Sequence, residues 1–396
     1  MASKRRIAVI TPFLDKQHGT ERCIIEELDR LADHYEIHVY SKRVEDIAPG
    51  KIIWHRIPDI PGPFALRYLW FFAANHFYRW RDRRFRHLDF DLVLSPGVNC
   101  LDADVIICHI VIRAFLQNIQ HSLRFRATRL RSWPLLLHRR LFYQIVATAE
   151  KFAYSRQDLY LVVLTNIMGR DVQRNFGKSR LLFQSYCGID SQKFSPAVCG
   201  PLRAEARRSL GLRPDDFLIL MLSNDLITKG LRCLLEAVQL LQNPSVRIIV
   251  AGHDDSAPYH KFLRENSMES RVHFLPVRPD VEFYYAAADL YVAPSLYDGY
   301  PLPVSEAMSC GIPAIASTHA GTSEIIRDGE DGFVLPDPAD SASLAKMIRK
   351  LVDDPALCAR MGANASRNVA QFTWDRNAAE LKVILEAFLA SQEKTP

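Results

Sequence analysis

Short runs of apolar residues alternate along the chain with segments in which apolar residues recur at helical spacing. The first run covers residues 7–10, and a polar loop through Gly19 separates it from a helical pattern between Cys23 and Leu31. The next apolar run covers 37–40. Continuous apolar runs are typical of strands that are covered on both faces. A strand, helix and strand within about 35 residues have the size of a βαβ unit, so the pattern predicts a parallel sheet.

The second half of the chain repeats this alternation more clearly. A helical pattern covers residues 231–241, and strands are predicted at 217–222, 246–251, 272–275, 290–293 and 313–317. Alternating strands and helices predict a parallel sheet with helices on both faces. We therefore expect two such domains, divided within the Gly-, Pro- and Arg-containing stretch 187–212, and a last amphipathic helix at about 376–390.

Composition excludes several classes of protein. The 396 residues are 48% hydrophobic and 24% charged, which are values of a globular chain. No G-x-G-x-x-G follows a strand, so a standard dinucleotide site is disfavoured, and the eight cysteines form no C-x-x-C pair that would suggest zinc. The apolar run after Arg6 is too short for a signal peptide, and no run is long enough for a membrane span. We expect a cytoplasmic protein.

Charge is distributed unevenly between the two halves. Residues 1–170 contain 26 Lys and Arg against 17 Asp and Glu, whereas residues 171–396 contain 24 against 28. Arginines are interleaved with aromatic residues in 64–87 and recur without acidic residues in 113–140. This pattern suits a membrane surface or a lipid-linked acceptor, a core helix with a solvated basic edge, or single-stranded nucleic acid. The first interpretation is favoured over the last.

Two D-x-D pairs raise the question of a metal site. Asp89 and Asp91 precede the predicted strand at 92–94, and Asp102 and Asp104 precede the one at 105–107. Such pairs hold a divalent metal in some sugar transferases, but aspartates are also ordinary at the start of a strand. The second interpretation is favoured, and no metal ligands are predicted.

The most informative stretch is 289–326. A predicted strand ends at Pro294, Asp298 follows in a loop, and a helix begins near Pro303 with Glu306 in its first turn. Backbone N–H groups at a helix start can hold a diphosphate. Carboxylates beside a phosphate would repel it unless they accept hydrogen bonds from hydroxyls, as in a sugar or a ribose. The alternative is that Glu306 only complements the helix N-terminus.

This stretch resembles the acidic signature of the retaining glycosyltransferases of family 4, within the glycosyl transferases of group 1. Asp298 is followed after seven residues by Glu306, and 307–313 read AMSCGIP. The family pattern is Glu, seven residues, Glu, then Ala-x-x-x-Gly-x-Pro. Further segments similar to the family are 11–21, 105–109, 187–196, 222–235 and 372–374. The resemblance covers nearly the whole chain.

The resemblance implies the GT-B fold, an α/β architecture of two Rossmann-like parallel-sheet domains that face a cleft. It implies an N-terminal acceptor-binding domain at 1–187 and a C-terminal donor-binding domain at 188–372. Residues 373–396 would form a C-terminal helix that crosses back to the first domain.

The resemblance also implies roles for individual residues. Glu306 would bind the donor ribose, Asp298 would contact donor-sugar hydroxyls, and Lys229 would neutralise the leaving phosphate. His109 would line the cleft beside the sugar, so that the implied catalytic residues are His109, Lys229 and Asp298. The implied donor-binding residues are Gly19, Asn224, Lys229, Asp298, Tyr300, Pro301, Leu302, Pro303 and Glu306. The family often has Arg where this chain has Asn224, and Arg278 or Arg232 is a candidate replacement.

The implied activity is retaining, metal-independent transfer of a hexose from a UDP- or GDP-linked sugar to an acceptor hydroxyl. The acceptor would be a glycan or a lipid-linked molecule in the synthesis of cell-surface polysaccharide, lipopolysaccharide or glycolipid. No cofactor is implied beyond the nucleotide sugar. The protein would be cytoplasmic and peripheral on the inner face of an anionic membrane, without a nucleic-acid partner. The alternatives are a nucleotide-sugar epimerase of the same fold and a nucleic-acid-binding protein without enzymatic activity.

Overall fold

A computed structural model describes residues 4–16, 19–126, 133–177 and 181–393, with the backbone alone for 120–126 and 133–136. The chain divides into two compact units. The first contains Met1–Gly188 and Trp374–Pro396, and the second contains Ile189–Thr373. Each boundary lies one residue from the position expected from the sequence.

In the described residues, the first unit is a parallel sheet with helices. Its strands are β1 (Arg6–Ile10), β2 (Phe13–Leu14), β3 (Glu36–Ser41), β4 (Arg43–Val44), β5 (Ile53–Arg56), β6 (Leu92–Pro96), β7 (Val105–Cys108), β8 (Tyr160–Val163) and β9 (Leu182–Gln184). Its helices are α1 (Gly19–Leu31), α2 (Phe64–Arg86), α3 (Ile112–Arg126), α4 (Trp133–Tyr154), α5 (Asn166–Phe176) and the C-terminal helix Trp374–Glu393. The main sheet has the order β5-β3-β1-β6-β7-β8-β9, while β2 pairs with β4.

The second unit has the same construction. Its strands are β10 (Phe217–Leu222), β11 (Val246–Ala251), β12 (Val272–Leu275), β13 (Leu290–Ala293), β14 (Ala314–Ser317) and β15 (Gly332–Leu335). Its helices are α6 (Pro196–Ser209), α7 (Leu231–Leu241), α8 (Ala257–Glu265), α9 (Glu282–Ala287), α10 (Leu302–Ser309), α11 (Ser341–Asp353), α12 (Pro355–Val369) and the 3₁₀ helix Gly321–Ile325. The sheet order is β12-β11-β10-β13-β14-β15. All of its pairings are parallel.

The stretch 187–212 is more than the linker that its composition indicated. Its arginines belong to α6, which packs on α9. Arg203 donates to the carbonyl of Ala288 at 2.8 Å, and Arg207 donates to the Asp289 carboxylate at 3.1 Å. These side chains therefore satisfy backbone and carboxylate oxygens beyond the end of α9, where free carbonyls need donors.

The C-terminal helix packs against α1 within the first unit. Glu27, on α1, is only 2% exposed. Burial raises the pKa of its carboxyl to about 8, against the opposing effect of the Asn377 amide on the C-terminal helix. The folded state therefore holds a proton on Glu27 at neutral pH, whereas the unfolded chain does not.

Replacing Glu27 by glutamine is expected to stabilise the first unit increasingly as the pH rises from about 5 to 8. In this window the folded state binds one more proton than the unfolded state, so the wild type loses stability with rising pH. The slope from this one group is about 1.4 kcal/mol per pH unit, and Glu27→Gln removes it. Thermal unfolding measured across this range checks the prediction.

The neighbouring Glu26 provides the matched control. Although burial alone would raise the pKa of its carboxyl, the Lys16 and Arg30 cations lower it. Glu26→Gln should therefore leave the dependence on pH above 5 unchanged. A Glu27→Gln variant with the same dependence as the wild type would contradict the assignment of a protonated carboxyl.

Candidate active site

Two loops meet where the strand order of the second sheet reverses. From β10 the chain proceeds outward to β11 and β12, and it then returns to β13 on the other side of β10. In open parallel sheets, ligands bind at the carboxyl ends of the strands at this kind of reversal. The loop after β10 contains Asn224 and Lys229, and the loop after β13 contains Asp298 and Tyr300.

The loop after β10 is fixed by its own side chains and by the end of β13. The Asp225 carboxylate accepts hydrogen bonds from the Thr228 backbone at 3.1 Å and from its hydroxyl at 2.8 Å. The Leu296 N–H donates to the Thr228 carbonyl at 2.8 Å. Gly230 has φ +77°, and a Cβ there would lie 2.0 Å from the Pro294 carbonyl oxygen. Only glycine allows this close approach of the two loops.

Lys229 and Asp298 form an ion pair across the two loops. Their side chains are 27% and 14% exposed. Removal from solvent lowers the pKa of the Lys229 ammonium to about 8, although the Asp225 carboxylate acts in the opposite direction. The structure thus brings together two of the residues predicted from the sequence, with opposite charges in contact.

The backbone of Asp298 is held on both sides. Its N–H donates to the His319 carbonyl at 3.0 Å, and its carbonyl accepts from the Gly321 N–H at 2.9 Å. The His319 ring in turn makes a contact of 3.0 Å with the Leu296 carbonyl. Because both peptide groups are bonded, the position of the Asp298 side chain is fixed by the loop that follows β14.

The helix α10 begins directly after this loop. Pro301 precedes the helix, and Leu302 and Pro303 form its first two residues. Among these three, only Leu302 has a backbone N–H, and the Val304 N–H donates to the Pro301 carbonyl at 3.0 Å. Lys229, Pro301 and Pro303 line a cavity of about 20 Å³ above the ends of β10 and β13. A cavity of this size can hold about one water molecule.

Glu306 lies in the second turn of α10, not in the first turn as predicted, because the helix begins at Leu302. It therefore cannot act as a first-turn complement to the helix N-terminus. Its side chain accepts a hydrogen bond of 2.7 Å from the Tyr285 hydroxyl on α9, and the residue is 4% exposed. Burial first, and then the Glu306 charge, raise the pKa of Tyr285 well above its ordinary value.

The remaining predicted residues of this unit have separate surroundings. Tyr300 is buried beside α10. The exposed Asn224 accepts a hydrogen bond of 3.1 Å from the His253 backbone N–H. Arg278 pairs with Asp280 at 2.8 Å, and Arg232 contacts Glu236 at 2.5 Å. Both candidate replacements for the missing arginine are therefore engaged elsewhere.

Gly19 and His109 belong to the first unit. Gly19 is the exposed first residue of α1, and His109 follows β7. Burial lowers the pKa of the His109 imidazole to about 4, so the ring is neutral at pH 7. Its Nε2 is shielded from solvent and has no hydrogen-bond partner within the described residues. A neutral ring can bind a hydroxyl through this nitrogen only after a local movement makes the nitrogen accessible.

Carboxylates of the two D-x-D pairs accept hydrogen bonds from the backbone or form ion pairs with arginine. Asp91 accepts from the Arg6 N–H at 2.7 Å, and Asp104 accepts from the Val93 N–H at 2.8 Å. Asp89 pairs with Arg83 at 2.8 Å. Within the residues that the structure describes, no three His, Cys, Asp or Glu side chains are grouped as metal ligands would be.

Sequence reasoning missed two features that shape this site. Tyr285 orients Glu306. The only indication of this contact in the sequence is the presence of a tyrosine on the helix that precedes β13. Asp225 and Thr228 shape the Lys229 loop, and their D-x-x-T spacing directly before the Lys-Gly pair was a signal available in the sequence.

Comparison with known proteins relates the second unit to a described family. Residues 203–368 match the model of the family Glycosyl transferases group 1. The glycosyltransferase named EpsD of Bacillus subtilis (strain 168) is 30% identical over 232 residues, which are 58% of this chain and 60% of EpsD. D-inositol 3-phosphate glycosyltransferase of Streptomyces bingchenggensis is 29% identical, over 60% of this chain and 52% of that enzyme. The chain thus spans between half and three fifths of these relatives.

Solved structures show the fold. WaaG, a glycosyltransferase involved in lipopolysaccharide biosynthesis, superposes with a TM-score of 0.77 at 19% identity, covering 96% of this chain and 99% of WaaG. HepE of Anabaena, in complex with UDP and glucose, superposes with a TM-score of 0.71 at 19% identity, covering 97% of this chain and all of HepE. The predicted fold class of two parallel-sheet α/β domains is confirmed. Residues 203–368 thus match the model of the family Glycosyl transferases group 1, and the chain has the GT-B fold of its structural neighbours.

Proposed function

We propose that the protein is a retaining glycosyltransferase that moves a hexose from a nucleotide-diphosphate sugar to an acceptor hydroxyl. The observation that carries this proposal is the Lys229–Asp298 pair beside the start of α10, with Glu306 held by Tyr285 one turn further along. A cation beside a helix start suits a diphosphate. The two carboxylates suit hydroxyls of the donor sugar and ribose. The complex of HepE with UDP and glucose supports a UDP-linked donor.

In the proposed reaction, the bond from the anomeric carbon of the sugar to the leaving phosphate oxygen breaks, and a bond to the acceptor oxygen forms on the same face. The acceptor proton passes to the departing phosphate, so that the products are the glycosylated acceptor and a nucleoside diphosphate. Negative charge grows on that phosphate as the bond breaks, and Lys229 supplies the compensating charge. Asp298, released from Lys229 by the diphosphate, then accepts hydrogen bonds from the sugar.

The first unit is assigned to the acceptor. The unpartnered Nε2 of His109 suits a hydrogen bond to the sugar 6-position or to the acceptor hydroxyl. Gly19 is assigned to the part of the donor site that the first loop contributes. The involvement of WaaG in lipopolysaccharide biosynthesis supports an acceptor in the synthesis of a cell-surface glycan, lipopolysaccharide or glycolipid. We place the enzyme in the cytoplasm, peripheral on the membrane. In the described residues, no helix is both long and apolar enough to cross a membrane.

Incubation with a panel of UDP- and GDP-linked sugars should release free sugar and nucleoside diphosphate from one donor. Hydrolysis should continue in EDTA at a rate within about twofold of the untreated enzyme, because Lys229 performs the electrostatic task of a metal. Chromatography of the nucleotide products measures both. Release of an isomerised nucleotide sugar would identify an epimerase instead. A rate that EDTA abolishes and Mn²⁺ restores would contradict the metal-free mechanism.

A further inference from the structure

The helix α2 is oriented with aromatic side chains towards solvent. Leu66, Leu69, Trp70, Phe77 and Trp80 lie within about 100° of one another around the helix and are exposed, with 56% exposure for Phe77 and 55% for Trp80. At the helical angle per residue these side chains share one stripe with Arg84, which we call the outer face of α2. A surface helix ordinarily presents polar residues on this side, so the pattern of α2 is inverted.

The buried face of α2 explains why the helix is not rotated so that its aromatic residues are covered. Asn75, Arg79 and Asp82 are buried. Arg79 makes two hydrogen bonds of 2.8 Å to the Asp102 carboxylate, and Asp82 accepts one of 3.0 Å from the Tyr40 hydroxyl. Rotating the helix to cover its aromatic residues would break these buried contacts, at a high cost for uncompensated charges. Arg79, which the sequence grouped with the surface arginines, is therefore structural.

The exposed aromatic rings form a connected group. The rings of Phe77 and Trp80 lie 5.8 Å apart between centroids, and those of Trp80 and Phe85 lie 6.1 Å apart. Such a contiguous apolar patch on a surface marks an interaction site. From Leu66 to Trp80 the exposed stripe extends about 21 Å along the helix, which suits a flat and extended partner better than a small ligand.

Charge identifies the kind of partner. Residues 64–87 contain six arginines and one aspartate, but three of these arginines pair with carboxylates outside the helix. The excess of positive charge is therefore at the end of α2, where Arg81, Arg84 and Arg86 outnumber the single carboxylate of Asp82. Aromatic rings at headgroup depth, with arginines beside them, are the chemistry of a helix that lies in the plane of an anionic bilayer. A second copy of this chain would bring two surfaces of the same positive charge together. Residues 127–132 of the other basic stretch, 113–140, lie outside the described residues.

We propose that the outer face of α2 docks this protein on a bilayer surface containing anionic phospholipid. Phe77 and Trp80 enter the interface, and Arg84 at the end of the same stripe meets lipid phosphate. The docking is independent of the sugar chemistry, because none of these side chains belongs to the donor site on the second unit.

Flotation of the full-length protein with vesicles tests this directly. Vesicles of phosphatidylcholine with one third phosphatidylglycerol should carry the wild type at low salt, and binding should weaken at high salt because the charges are screened. Phe77→Ala/Trp80→Ala should lower the apparent partition coefficient by at least tenfold. The control Leu240→Ala/Val383→Ala removes two exposed apolar side chains elsewhere, with 47% and 65% exposure, and should bind like the wild type.

The charge requirement has its own pair of variants. Arg84→Gln should weaken binding to anionic vesicles about fivefold, the contribution expected of one arginine near the surface. The control is Lys261→Gln, which removes a cation with 79% side-chain exposure and should have no effect. Donor hydrolysis, measured in parallel, should be unchanged in all four variants.

Three results would overturn the proposal. The first is no flotation of the wild type at low salt. The second is equal flotation of wild type and Phe77→Ala/Trp80→Ala. The third is a dimer, detected by analytical ultracentrifugation, that this double variant abolishes without any vesicle binding, which would assign the face to a second copy. Quenching of Trp80 fluorescence by brominated lipid, compared between wild type and Trp80→Phe, would place that ring in the interface and support the proposal.

Discussion

Replacing Glu306 by glutamine is expected to weaken donor binding by about 10- to 100-fold and to lower kcat/KM by at least as much. Glutamine has the same length and can still accept the hydrogen bond from Tyr285, so the fold should persist. What is lost is the charge on a hydrogen bond to the ribose, and a hydrogen bond to a charged group contributes about 1.5–3 kcal/mol. Calorimetric titration with the nucleotide sugar and steady-state kinetics measure the two effects.

Two further variants separate the charge of Glu306 from its position. Tyr285→Phe keeps the carboxylate but removes the hydrogen bond that orients it, and it should give a smaller loss that appears mainly in donor affinity. Glu265→Gln removes a carboxylate with 60% side-chain exposure on α8 and should be indistinguishable from the wild type. Unchanged donor affinity in Glu306→Gln would exclude Glu306 as the ribose ligand.

Five of the six strands of the second sheet could be predicted from the sequence, whereas β15 was not predicted. The strands β10, β11, β12 and β13 have the bounds read from the apolar runs, and α7 has the bounds read from its helical pattern. Strands covered on both faces have no polar alternation, so each run begins and ends where burial begins and ends. The ends of the helices within 187–212 and of α10 were harder to predict from the sequence. The former depend on contacts with α9, and the start of α10 depends on two prolines.

The orientation of α2 could not be predicted in the same way. Helical periodicity assigns the apolar stripe to the core, whereas here the stripe with Phe77 and Trp80 is exposed. The partners that fix the helix, Tyr40 and Asp102, are distant in the sequence and come from other elements. Local patterning holds no information about such contacts, so the sequence left a basic solvated edge and a membrane surface as open interpretations.

The candidate site was predictable in its residues but not in its contacts. The motif identified Lys229, Asp298 and Glu306 separately. Their arrangement depends on β10 and β13 being neighbours, although 67 residues separate the ends and starts of these strands. The ion pair of Lys229 with Asp298 follows from that neighbourhood and from the close approach at Gly230. It gives Asp298 a role as the partner of Lys229 that the motif alone did not suggest.

Replacing Lys229 by alanine is expected to lower kcat by about 100- to 1,000-fold, with a smaller change in the KM for the donor. Removing one group that stabilises charge in a transition state typically has this effect. In the free enzyme the lysine is paired with Asp298. Donor binding must separate this pair, and the energy that this requires offsets part of the attraction between the lysine and the donor. Its full effect appears only as the leaving phosphate gains charge, which is the condition for an effect on kcat.

The control is Lys193→Ala, which removes a lysine of the same unit that pairs with Glu282 at 3.3 Å and should leave kcat unchanged. Raised KM with unchanged kcat in Lys229→Ala would show that the lysine binds ground state and transition state equally, and would contradict the leaving-group assignment. Thermal unfolding of Lys229→Ala, compared with that of Lys193→Ala, reports whether the loss of the Asp298 ion pair affects the fold.

The pH dependence of kcat/KM identifies Lys229 by its titration. The pKa of its ammonium is lowered to about 8 by burial, so the charged form predominates below pH 8 and the neutral form above it. Because kcat/KM reports the free enzyme, it should fall about tenfold per pH unit above 8. Lys229→Arg retains a cation whose pKa lies far higher, and this descending limb should move out of the measurable range even if the absolute rate is lower. If kcat/KM of Lys229→Arg still falls above pH 8, the titrating group is another residue. That result would contradict the proposal that the charge of Lys229 stabilises the leaving phosphate.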